Sequence, residues 1–76
     1  MSTREIDPRL GLALKKLRDG RHLTQEDVAY SAGITTGTLS RTETSETSPT
    51  WDTVLRIADA LEVSLIDLVA AVEREG

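Results

Sequence analysis

The chain of 76 residues has no cysteine, which excludes a disulfide framework and a thiolate metal site. It has a single histidine, His22, so no imidazole pair is on hand for a metal either. No apolar run approaches the roughly 18 residues a membrane span needs, and the N-terminus lacks an apolar signal-like stretch. A soluble cytoplasmic protein without a membrane partner is expected. Catalytic signatures are missing too. There is no nucleophile triad, no phosphate-cradling glycine loop and no metal cluster, so neither an enzyme nor a cofactor is expected. Strand signals, repeats and low-complexity segments are also absent.

An excess of basic residues is lacking as well. The net charge is −4, whereas nucleic-acid-binding domains are usually basic. The distribution qualifies this. Residues 8–43 hold Arg9, Lys15, Lys16, Arg18, Arg21 and Arg41 against only four acids, while residues 44–76 set seven acids against Arg56 and Arg74. The molecule is polarised, with its positive charge in the first half.

What is present is helical periodicity, cut into short pieces. Residues 1–7 are polar and read as a flexible tail; residues 8–76 read as one domain, the most that this length allows. Asp7-Pro8 is a helix start, with Asp at the N-cap and Pro where its missing N–H costs nothing. Leu10, Ala13, Leu14 and Leu17 then form one stripe, and Gly20 and His22 mark the stop. Thr24 with Asp27 has capping-box spacing, and Val28, Ala29 and Ala32 share a face. Gly33 stands where a helix end calls for positive φ. Ile34 anchors the turn, and Thr35 caps a helix that carries Leu39 inward. After the loop Thr44–Thr50, Thr50 caps a fourth helix with Trp51, Val54, Leu55, Ala58 and Leu61 as its buried stripe. Glu62-Val63 is the break. Ser64 with Asp67 starts a fifth helix, with Leu65, Leu68, Val69 and Val72 facing inward and Ile66 and Ala70 to one side. The fold class expected is all-α, five helices around one core. Helices two and three, joined by a tight glycine turn, have the helix-turn-helix pattern that places a helix in the DNA major groove.

From about Leu10 to Val69 the sequence resembles the phage-repressor and Cro-like helix-turn-helix family, also called the xenobiotic-response-element type. The resemblance rests on Leu17-Arg18, LTQEDVA, the turn AGI, TLSRTE, Pro49, IADALEVS and Leu65–Leu68, in that order and spacing. It implies a repressor-like DNA-binding domain with helix three as recognition helix, binding double-stranded DNA as a homodimer. Carried over by residue, it puts Gln25 near backbone and first base, Thr35 and Thr36 beside phosphate and base, and Thr38, Ser40 and Arg41 toward the groove. It also implies an ion pair between Arg18 and Glu43. The chain departs from the family at several places. His22 and Glu62 stand where glycine is usual, Thr42 replaces an apolar residue, and Gly37 removes a side chain that often reads a base. The loop after Glu43 carries Glu46 in place of basic residues.

For each residue a plainer role stands beside the sharper one. Arg41 can donate a bidentate pair to guanine O6 and N7, touch phosphate, or stay solvated. The threonine hydroxyls also suit a helix N-terminus, and Gln25 also suits a surface. Trp51 is expected in the core and Tyr30 in solvent. The function expected is a sequence-specific transcriptional regulator on a two-half-site operator, dimerising through helix five at Ile66 and Ala70. The alternative is a protein-interaction module, a regulator or antitoxin-type subunit whose acidic C-terminal half binds a protein partner.

Overall fold

The structure, a computed structural model, describes residues 6–75. Residues 1–5 of the expected tail and Gly76 lie outside the described residues. The elements are α1 (Pro8–Gly20), α2 (Gln25–Ala32), α3 (Thr36–Glu43), α4 (Trp51–Ala60) and α5 (Leu65–Glu75). No strand occurs among the described residues.

The helices begin where hydroxyl and carboxylate side chains can take their free N–H groups. Asp7 accepts from Arg9 N–H, Thr35 from Thr38, Thr50 from Thr53 and Ser64 from Asp67. Thr24 and Asp27 form the full reciprocal box at 3.0 and 2.9 Å. The Thr24 N–H holds the Asp27 carboxyl below the usual carboxylate range. A lowered folded-state value stabilises the fold at neutral pH, and that contribution is lost as pH falls through it.

The ends of α1, α2, α3 and α4 share one device. His22, Gly33, Ser45 and Glu62 all have positive φ, between 58° and 72°. Each N–H returns to a carbonyl three residues back, and the following N–H to one five residues back, the Schellman pattern. In three of these four joints the next two residues are an apolar side chain and a hydroxyl cap: Leu23-Thr24, Ile34-Thr35 and Val63-Ser64. Leu23, Ile34 and Val63 all pack against the core. The joint after α3 lacks this form and runs on to Thr50.

α1 packs against α5 and α3, and α2 against α3 and α4. The core is Leu14, Val28, Leu39, Ile57, Leu61 and Leu68, all nearly inaccessible, with alanines between them. Two stripes differ from those expected. On α4, Ile57 is buried, whereas Trp51 is 62% and Leu55 38% exposed; on α5, Ala71 is buried and Val69 is 51% exposed. Ile57 and Leu55 flank the same stripe on opposite sides, as do Ala71 and Val69, and the bundle covers only the first flank of each. The uncovered flanks border an apolar groove of about 260 Å³ lined by Leu10, Pro49, Trp51, Leu65, Val69 and Val72. No helix among the described residues is long and apolar enough to cross a membrane.

Candidate nucleic-acid interface

Gly11 sets how closely α1 approaches α3. A Cβ there would lie 2.5 Å from the Thr42 carbonyl oxygen and 2.6 Å from that of Glu43, so no other residue allows this contact. The sequence signal was a glycine inside a helix, which costs stability and needs a packing reason. Two turns further along the same face, Arg18 meets the Glu43 side chain. Its Nε donates to Oε2 at 2.8 Å and its Nη2 to Oε1 at 3.0 Å, the bidentate pair expected between these residues. Glu43 is 2% and Arg18 11% exposed at the side chain. Arg18 Nη1 also donates to the Leu23 carbonyl, and the Glu43 carboxylate holds the guanidinium above its already high ordinary value. The C-terminal turn of α3 is thereby fixed to α1.

Gln25 joins the same network, which the sequence reading missed. Its Nε2 donates to Glu43 Oε1 at 3.0 Å, leaving one N–H and the carbonyl oxygen for a ligand. Thr35 is committed to its cap: its hydroxyl accepts from Thr38 N–H and donates to Thr38 Oγ1 at 2.8 Å. Thr36 and Ser40 are half-buried at the edges of α3, and Arg41 is exposed. Thr42 is buried, but its hydroxyl donates to the Thr38 carbonyl at 2.9 Å, so the polar replacement leaves no unmet group. The five candidate residues Thr35, Thr36, Thr38, Ser40 and Arg41 thus lie on α3 or its cap, with Gln25 tied to it through Glu43. Ile66 is 81% exposed and Ala70 half-buried; both lie on α5, which packs against α1 and α4. Tyr30 is exposed, as expected.

The electrostatics of α3 differ from those of the chain. Its one acid, Glu43, is buried against Arg18, so the solvent face of the helix carries no carboxylate. Arg41 forms no ion pair among the described residues, whereas Arg9, Lys16, Arg18, Arg21 and Arg56 all do. The nearest acid in sequence beyond the helix, Glu46, is drawn onto the Thr44 hydroxyl at 2.7 Å. No group of three or more potential metal ligands converges among the described residues.

A family profile described as "Helix-turn-helix domain" matches residues 9–72. No curated protein sequence matches the chain. Among solved structures, the wild-type restriction-modification controller protein C.Esp1396I superposes with a TM-score of 0.85 at 26% identity, covering 90% of this chain and 88% of that one. The controller protein C.AhdI from Aeromonas hydrophila superposes with a TM-score of 0.76 at 25% identity, covering 79% and 91%. The clp gene regulator ClgR from Corynebacterium glutamicum, at 23% identity, shares the fold with a TM-score of 0.85 over 93% and 78% of the two chains.

Proposed function

We propose, from the premise that this chain belongs to the helix-turn-helix domain family, that it is a transcriptional regulator whose α3 enters the DNA major groove at each half-site of an operator. The carrying observation is charge. In a chain of net charge −4, the solvent face of α3 bears no acid and one arginine without an ionic partner among the described residues. On this reading Arg41 donates two hydrogen bonds to guanine, and Thr36 and Thr38 sit by the bases. Ser40 lies beside them at the groove edge. The cap at Thr35 and the remaining N–H of Gln25 face phosphate. Occupation of a promoter site, with no bond made or broken, is the whole mechanism. The controller-protein names of two structural neighbours agree with it.

Selection from random duplexes, followed by gel shift across salt concentrations, tests the reading. Binding is expected to weaken as salt rises, because phosphate contacts release counterions. Arg41→Ala is expected to cost about 1–3 kcal/mol at the selected site and to relax preference at one base pair, with the melting transition unchanged. A protein that retards no duplex even at low salt would be an interaction module working through its acidic half instead.

The proposal includes a homodimer. Trp51 and Val69 line the apolar groove and are exposed, Ile66 on α5 is 81% exposed, and α5 needs only one face for the core. A two-fold axis through this patch would bring the same residues of both copies together, Ala70 included, with the recognition helices roughly 34 Å apart. Ile66→Glu is expected to convert a dimer to monomer in sedimentation. Wild-type protein that stays monomeric at tens of micromolar (a rough working range) contradicts the dimer.

A further inference from the structure

Gly37 is the second residue of α3 and is exposed. Glycine weakens a helix relative to alanine, and here the backbone does not call for it, since among the described glycines only Gly33 has positive φ. The Arg41 guanidinium lies against the place where a side chain at 37 would begin. A Cβ on residue 37 would lie 3.2 Å from Arg41 Nη1, 3.8 Å from Nη2 and 3.9 Å from Cζ. Helical side chains lean toward the N-terminus, so residue 41 reaches back one turn onto residue 37. No carboxylate draws the guanidinium there, because Arg41 has no ion pair among the described residues. The helix dipole does not draw it either, since a cation is disfavoured toward the N-terminal turn. What permits the position is the vacant volume.

The geometry points to Gly37 as a specificity-determining residue: its missing Cβ lets the Arg41 guanidinium lie on the first turn of α3, so that Arg41 reads a guanine at the base pair that a side chain at 37 would otherwise meet. The inference rests on α3 being the reading helix and deepens that assignment. It makes residues 37 and 41 a single reading unit, in which the first supplies space and the second supplies the paired donors that match guanine O6 and N7. Any side chain at 37 has two effects at once. A Cβ tightens its contact with Nη1 until the guanidinium gives way, and it puts a methyl or larger group between the donors and the first turn of the helix.

The experiment compares wild type, Gly37→Ala, Arg41→Ala and the double variant. Each is assayed by thermal melting, by random-duplex selection, and by binding to the wild-type selected duplex and its single-base variants. Gly37→Ala is expected to melt no lower than wild type, because alanine is the better helix former. It is nevertheless expected to lose about tenfold or more in affinity for the selected duplex and its preference at one G·C pair. In the Arg41→Ala background the same change is expected to alter nothing, since no guanidinium remains to displace. Gly37→Ala that binds and selects as wild type does, or losses from the two single variants that simply multiply in the double variant, overturns the inference and leaves α3 as the reader. Wild-type protein that selects no sequence overturns both.

Discussion

Glu43→Ala is expected to destabilise the domain by about 3–5 kcal/mol, because it leaves the largely buried Arg18 guanidinium with only the Leu23 carbonyl and a 3.5 Å contact to the exposed Asp19 carboxylate. A domain of this length has roughly 4–11 kcal/mol in total, so the variant approaches unfolding at room temperature. The size follows from burial. Glu43 is 2% exposed and Arg18 11%, far from the exposed pairs whose contribution stays under about 1 kcal/mol. Gln25 loses its acceptor in the same step. Arg18→Lys does not rescue the site, since an ammonium cannot reproduce the two parallel bonds to Oε1 and Oε2. Replacing both partners together, Arg18→Met with Glu43→Leu, is expected to cost far less than either charge removed alone. Urea unfolding of the four proteins checks this. A Glu43→Ala variant within about 1 kcal/mol of wild type would mean that the pair is solvated in solution.

Gly11→Ala is expected to cost about 3 kcal/mol, the upper end of the usual range for overpacking, despite alanine's better helix propensity. The atoms a Cβ would strike are the Thr42 and Glu43 carbonyl oxygens, at 2.5 and 2.6 Å. These are backbone atoms, so no side-chain rotation relieves the contact; α1 and α3 must separate. Separation also stretches the Arg18–Glu43 bonds two turns away, so the effects of Gly11→Ala and Glu43→Ala should be less than additive. Gly11→Val, bulkier and branched, is expected to leave no folded population at 25 °C by circular dichroism. A Gly11→Ala protein as stable as wild type would refute the close approach of the two helices.

The helix boundaries could be read from the sequence because they are set by near neighbours. Thr24 and Asp27 are three residues apart, and Gly33 needs only its own φ, so their roles do not depend on the rest of the fold. The Arg18–Glu43 pair was foreseen through a resemblance rather than through spacing, since 25 residues separate the two. Periodicity located stripes on α4 and α5 but not their edges. Which flank is covered depends on where α2 and α1 lie, so Trp51 and Val69 were assigned to the core and Ile57 and Ala71 passed over. Gly11 could be flagged as costly but not explained, because its reason is a backbone on another helix. The bond from Gln25 to Glu43 was hidden in the same way, and so was the guanidinium over Gly37, which depends on the direction the Arg41 side chain takes. The DNA-facing roles of Thr36, Thr38, Ser40 and Arg41 belong to the proposal, and Arg41→Ala tests the last of them.

The repeated joint has a consequence for how this chain can change length. At His22-Leu23-Thr24, Gly33-Ile34-Thr35 and Glu62-Val63-Ser64, one residue ends a helix, the next enters the core and the third starts the following helix. None is spare, so an inserted residue would pull either the apolar plug out of the core or the hydroxyl off the next helix. Thr47 and Ser48 are exposed, and this segment separates a helix end completed by the Glu46 N–H from a cap at Thr50. Inserted residues, a tag or a protease site can be accommodated there without disturbing a joint. That segment also adjoins the C-terminal end of α3, so lengthening the chain there would alter the surface beside α3 while the core stayed as it is.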